Sequence, residues 1–247
     1  LSGDDFISEV QDAYLEMLYD VNVDKEQAAY GVPYATNASG VLYNEDLFAQ
    51  AGVEVPKTWS EFQDVITKLE DAGITPFEFT FADSWTCLPP WNSMAPVIPA
   101  ADFTDQRKEG KTTFVGTHEE ILEKYLSLLD HAQDDFMGTT YTDGNAAFAN
   151  GSAAMMINGN WAISEFLNTN PDMNVNMFAF PSVDDESKNT VTSGVDVLFA
   201  VSNQGSEEQQ EAAKEFIRYA LTKDVAQEYI DDQFAFSAVN GVEQQNE

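Results

Sequence analysis

At 247 residues, 43% hydrophobic and 12% aromatic, the chain is long enough to bury one large core or two modest ones. Its 43 Asp and Glu against 11 Lys and Arg give a formal net charge of -32. That charge repels phosphate backbones and anionic lipid surfaces and leaves no basic stripe for nucleic acid.

The acids are dispersed over helices rather than gathered in a tail, a pattern that favours solubility and resistance to association. No apolar run approaches the ~20 residues that would span a bilayer. The lone Cys87 excludes an internal disulfide, a thiolate zinc cluster and a CxxC redox pair. The chain opens on Leu1-Ser2-Gly3 without an initiator Met, a basic n-region or an apolar h-region, and reads as a processed or excised piece.

Apolar residues at helical spacing predict a first helix over Phe6 to Asp20, with Phe6, Val10, Ala13, Tyr14, Met17 and Leu18 on one stripe. The run Tyr30-Gly31-Val32-Pro33-Tyr34-Ala35-Thr36-Asn37-Ala38-Ser39-Gly40 is extended, punctuated by Gly and Pro, and small and polar at its centre, which suits the lining of a cleft better than a core. It leads through a strand at Val41 to Tyr43 into a helix starting near Asn44, a good N-cap type.

Thr58-Trp59-Ser60-Glu61 is a capping box opening a helix that runs to Gly73, with Trp59 read as a structural staple. A strand from Pro76 to Phe81 follows. Thr117-His118-Glu119-Glu120 reads as a second capping box, before a helix with Ile121, Leu122, Tyr125, Leu128 and Leu129 on one face. A short helix (Ala146 to Asn150, stopped by Gly151), an apolar strand (Ala153 to Asn158), a helix (Trp161 to Leu167) and a strand (Val175 to Phe180) come next.

Val195 to Ser202 alternates as a strand. Ser206-Glu207-Glu208-Gln209 caps a helix expected to bury Ala212, Ala213, Phe216, Ile217, Ala220 and Leu221, and a last helix carries Val225, Tyr229 and Ile230. Strands alternating with helices predict an α/β architecture. Ala100 to Thr113 and Pro181 to Ser193 are turn-rich loops.

Catalytic and metal patterns fail when tested. His118-Glu119-Glu120 lacks the second histidine of a zincin, and neither a GxSxG elbow nor a phosphate-cradling loop is present. Asp20-Val21-Asn22-Val23-Asp24 begins like a calcium loop, yet Lys25 stands where its glycine belongs and Gly31 where its bidentate glutamate belongs. Asp184-Asp185-Glu186 reads as an acidic surface loop. Cys87 is expected as a buried thiol beside Trp85. No metal or cofactor follows from these residues. The carboxylates are too numerous to single out a glycosidase pair.

The aromatic positions carry more. Trp161 follows a strand through Gly159-Asn160 and stands on the first turn of a helix, where ligands of open α/β sheets bind. An indole there either stacks its face on the C–H face of a sugar or packs on the surface of its own unit. Trp85 and Trp91 flank Pro89-Pro90 just past another strand end, one expected to face a ligand and the other to pack. Asp196, near a strand start after Ser193-Gly194-Val195, is placed either to accept two sugar hydroxyls or to stand as an exposed strand-end acid.

Five segments taken together resemble one family: Tyr30 to Tyr34, Tyr43 to Phe48, Pro56-Lys57-Thr58-Trp59-Ser60-Glu61-Phe62, Ala147 to Met155, and Asn158-Gly159-Asn160-Trp161. Their order and spacing resemble the bacterial sugar-binding proteins of ABC importers, the extracellular solute-binding family that includes maltose-binding protein. The resemblance runs from about Tyr30 to the end. It implies a two-lobed α/β periplasmic-binding-protein-like fold of type II, with a carbohydrate held between the lobes and delivered to a membrane permease.

Residues 1–35 would then be the end of the N-terminal lobe and the first crossing, 36–193 the C-terminal lobe, and 194–247 the second crossing and helices returning to the first lobe. The family carries a further stretch before the crossing and another after Val239-Asn240-Gly241, so the chain would be one whole lobe plus pieces of the other. Carried over by position, the ligand contacts implied are Asn37, Trp85, Asn160, Trp161, Gly194 and Asp196. The resemblance further implies a monomer without catalysis, cofactor, metal or nucleic-acid partner, located outside the cell, either lipid-anchored at the surface or periplasmic. A carbohydrate-active enzyme and a ligand-sensing or adhesive surface domain on the same fold are the alternatives.

Overall fold

A computed structural model describes residues 1–21 and 28–245. Residues 22–25 of the calcium-loop-like stretch lie outside them. Two compact units divide the chain: Ser39–Thr192 is continuous, and Leu1–Ala38 joins Ser193–Glu247 to form the other.

In chain order the regular elements are α1 (Asp12–Val21), β1 (Val32–Asn44), α2 (Glu45–Ala51), α3 (Trp59–Asp71), α4 (Leu88–Met94), α5 (Phe103–Lys108), α6 (Glu119–Leu129) and α7 (Tyr141–Ala149). They continue with β2 (Met155–Gly159), α8 (Ala162–Thr169), β3 (Val175–Phe178), β4 (Thr192–Phe199), α9 (Glu207–Ala220), α10 (Lys223–Gln233) and β5 (Phe236–Ser237).

In the continuous unit the second half of β1 lies between β2 and β3, antiparallel to both, with Val41 opposite Ile157 and opposite Phe178. Successive strand residues point to opposite faces, and here both faces are buried. Val41, Tyr43, Met155 and Ile157 pack with Phe48, Phe62, Ile66, Leu69, Ile121 and Leu128 of α2, α3 and α6. Leu42 and Met156, one residue out of phase, pack with Phe148, Ala162 and Phe166 of α7 and α8. Gly40 lets β3 come this close, because a Cβ there would stand 2.4 Å from the Phe178 carbonyl oxygen.

Local cap chemistry sets the helix starts. Asn44 accepts from the Leu47 amide, Thr58 and Glu61 form the reciprocal capping box of α3, and Ser206 with Gln209 does the same for α9. Gly73 and Gly151 take the left-handed conformation just past α3 and α7. Trp59 is the expected staple: it packs beside Phe62 and Phe180, and the Lys124 ammonium lies 4.9 Å from its ring.

Four expectations are corrected. The helix predicted over Phe6 to Asp20 is broken: Asp5–Glu9 is a 3-10 turn, and Val10 leaves it to bridge Val239, so α1 starts at Asp12. The segment Pro76 to Phe81 is extended but forms only single bridges, with Phe77 parallel to Ala132 and to Met155. Thr117 caps nothing; its hydroxyl donates back to the Thr113 and Phe114 carbonyls, and His118 precedes α6 without a side-chain cap. In α9 Phe216 and Ala212 are exposed, and Ile217 and Ala220 carry the buried face.

The discontinuous unit has its own core of Phe6, Val10, Val32, Tyr34, Ile217, Leu221, Ile230 and Val239. The first half of β1 pairs with β5, Ala35 opposite Ser237, and β4 pairs with β1 as well.

Glu78 is the buried acid of the continuous unit, 3% exposed. It accepts hydrogen bonds from Gln133 Nε2 (2.8 Å) and Ser152 Oγ (2.7 Å). Burial pushes its pKa up, the Ser152 bond opposes the shift, and the Asp135 charge adds to it. A raised folded-state value means that the unfolded chain gives up this proton first. The Glu78 contribution is therefore complete below the ordinary value of 4.5 and is lost as pH rises through its own higher value. Thermal melts from about pH 4 to about pH 8 should show Glu78→Gln gaining on the wild type as pH rises. A difference that stays flat would mean that the carboxylate is fully compensated when charged.

Candidate functional site

Strand β2 ends at Gly159, and two residues later Trp161 stands immediately before α8. The indole lies flat over Gly159: a Cβ built on that glycine would fall 2.0 to 2.4 Å from three atoms of the Trp161 six-membered ring. Glycine is needed here for close approach, not for an unusual backbone angle. The ring is half-buried and also packs against the Phe148 and Phe166 cluster. It is thus less presented than its strand-end position suggests.

Trp85 sits on a 3-10 turn, Ser84–Cys87, and is 42% exposed. Thr86 builds that turn, donating its amide to the Asp83 carbonyl and its hydroxyl to the carbonyls of Thr80 and Asp83. Pro89 and Pro90 occupy the first turn of α4, where a missing N–H costs little. Trp91, on the same helix, turns inward and stacks on His118 with ring centroids 5.6 Å apart. Cys87 is half-buried rather than fully buried, and burial pushes its thiol pKa up, which keeps it unreactive.

A third ring completes the corner. Tyr141, the first residue of α7, has its centroid 4.9 Å from that of Trp85, and Trp85 stands 6.5 Å from Trp161. Burial pushes the Tyr141 pKa up; the neighbouring Asn145 and Trp161 side chains oppose that shift, and the Glu165 charge adds to it. Three rings from three elements therefore meet at the carboxyl end of β2, at centroid separations typical of aromatic pairs. Such a corner presents π-faces and a few fixed polar groups, the composition of small-molecule sites.

Of the residues singled out in the sequence, Trp85 and Trp161 come together here, and Asn160 lies beside them at 4% exposure. Asn37, Gly194 and Asp196 belong to the other unit, Asn37 on β1 and the others on β4. Because β4 begins at Thr192, Asp196 stands in mid-strand, exposed, where its charge adds to the rise that burial gives the Tyr229 pKa. Sequence reading missed Tyr141. The available signal was Thr140, whose hydroxyl accepts from the Asp143 amide and marks a helix start at Tyr141, five residues before the one expected at Ala146.

A family model described as bacterial extracellular solute-binding protein matches residues 5–247. The chain is 28% identical over 251 residues to a multiple sugar-binding protein of Streptococcus mutans, covering 98% of this chain and 58% of that protein. It is 25% identical over 156 residues to an uncharacterized ABC transporter extracellular-binding protein of Pyrococcus horikoshii, covering 62% of this chain and 35% of that one. Among solved structures, the SBP RafE in complex with raffinose superposes with a TM-score of 0.84 at 27% identity, covering 100% of this chain and 64% of that chain. The chain thus spans 58% of the first of these relatives and 64% of the solved structure.

The seating of the indole can be tested directly. Gly159→Ala should lift the Trp161 ring off the strand, altering the near-ultraviolet circular dichroism of the tryptophans, and should lower stability by about 1–3 kcal/mol as overpacked sites do. An unchanged aromatic spectrum would show that the ring is not held by that contact.

Proposed function

This chain belongs to the bacterial extracellular solute-binding protein family, and from that premise we propose that it binds an oligosaccharide and delivers it unchanged to the permease of an ABC importer. The Trp85–Tyr141–Trp161 corner carries the reading. Sugars offer C–H faces that stack on indole and phenol rings and hydroxyl edges that pair with neighbouring polar groups, and these rings are held ready at a strand end. The family and the relatives are solute-binding proteins by description, which supports binding without turnover.

The type II periplasmic-binding-protein-like fold fits the two compact units, and their limits near residues 38 and 193 support reading 36–193 as one lobe, flanked by crossing strands. Asn37, Gly194 and Asp196 are proposed as contacts from the other unit, and Asn160 as a polar contact beside the rings. A net charge of -32 favours a monomer and a neutral ligand. The protein would act outside the cytoplasmic membrane, either periplasmic or tethered to the cell surface as a lipoprotein.

Titration calorimetry of the full-length protein with neutral oligosaccharides, raffinose first, tests the assignment. Trp85→Ala should weaken binding by at least about tenfold, equivalent to ~1.4 kcal/mol, while its melting temperature falls little because the ring is 42% exposed. Trp161→Ala should weaken binding as much and also melt earlier, since its half-buried ring covers Gly159. Wild-type affinity in both variants would remove the rings from the site, and sugar cleaved during incubation would make the protein an enzyme.

A further inference from the structure

Asp83 closes a small circuit around the exposed tryptophan. It stands two residues before Trp85, and its Oδ2 accepts the backbone N–H of Tyr141 at 2.6 Å, across 58 residues of chain. Tyr141 in turn lays its ring against Trp85 at 4.9 Å. A covalent turn, a hydrogen bond and a ring contact thus form a closed loop of four residues.

The α7 start does not depend on this bond alone. Thr140 is its N-cap, accepting from the Asp143 amide and donating to the Asp143 carboxylate at 2.7 Å. Tyr141 N–H is a separate orphan donor of the helix end. A carboxylate there gains from the helix dipole, but this one is anchored in the turn that carries Trp85. A second bond, from the Ala82 amide to the Thr139 carbonyl, draws the same two segments together. The α7 helix also approaches closely through Gly144, where a Cβ would meet Thr80 at 2.2 Å.

The energetic case follows from exposure. With 42% of Trp85 exposed, packing on the solvent side cannot fix its rotamer. A ring that must be immobilised on binding weakens binding, whereas a pre-set one does not. We infer that Asp83 is a positioning residue: without touching ligand, it sets the Trp85–Tyr141 contact through the first amide of α7 and so pre-organises the aromatic corner. The inference rests on reading that corner as the sugar site.

The spectroscopic arm of its test needs no ligand. In the full-length protein, the near-ultraviolet difference between wild type and Trp85→Ala defines the Trp85 band. Asp83→Ala should lose most of that band with its far-ultraviolet spectrum unchanged, whereas Asp83→Asn, whose Oδ1 can accept the same N–H, should keep it. Raffinose affinity should fall about three- to tenfold in the alanine variant and less than about twofold in the asparagine variant. A retained Trp85 band in Asp83→Ala overturns the proposal, and so does loss of folding, because Asp83 would then support the unit as a whole. Raffinose failing to bind wild type while the band behaves as expected would count against the sugar reading and leave the positioning role standing.

Discussion

Double-sided burial of β1 and β2 governs what the continuous unit can be. A strand with apolar residues on both faces has no solvent side, so helices must cover it above and below. Val41, Tyr43, Met155 and Ile157 face one helical layer and Leu42 and Met156 the other. With its sides occupied, the sheet can meet solvent at its strand ends. Beyond the end of β2 the next polar and aromatic residues, Asn160 and Trp161, come to lie at an edge beside the start of α8. Placement of the candidate site is therefore a consequence of the core.

Close approach, more than backbone flexibility, explains the glycines of this unit that matter most. Gly40 faces a carbonyl oxygen, Gly144 a threonine methyl and Gly159 an indole, each at a distance that no Cβ tolerates. Gly40 sets β1 against β3, and the other two lie at contacts that fix the corner: α7 against the Thr80 segment and the Trp161 ring against its own strand. A close-packed interior transmits such constraints over several residues, so the rings inherit their geometry from backbone spacing. That inheritance also explains why Trp161, read from its position as presented, is half-buried.

Elements with local causes were the legible ones. The capping boxes at Thr58 and Ser206 and the N-cap at Asn44 depend on atoms a few residues apart, and they stand as read. The false box at Thr117 failed because a hydroxyl can donate to preceding carbonyls as readily as accept from following amides, and the pattern of residue types does not distinguish the two. Non-local pairing accounts for the other misses: Val10 leaves its helix to bridge a residue 229 positions away, and Pro76 to Phe81 pairs too sparsely to make a strand. The aromatic corner was half legible. Trp161 could be placed at a strand end from sequence, whereas Trp85 was placed past a strand that proves to be only an extended segment, and Tyr141 joins them only through the docking of α7, which tertiary contacts decide.

The acids around this corner bear on how a chain of net charge -32 would hold the sugar proposed for it. Asp83 is bound to the Tyr141 amide and Asp143 to the Thr140 hydroxyl. Elsewhere in the unit, Asp184 is bound to the amide and hydroxyl of Ser60. Hydrogen bonds of this kind hold the Asp184 carboxyl below its usual range, keeping it charged and engaged in structure. Carboxylates committed to backbone donors have fewer lone pairs left for a ligand. On the proposed sugar-binding reading, recognition at this unit falls chiefly to ring faces, which carry no net charge and would meet the uncharged C–H surface of a saccharide. Abundant acid keeps the surface solvated and repels polyanions, while the proposed site would discriminate by shape and stacking.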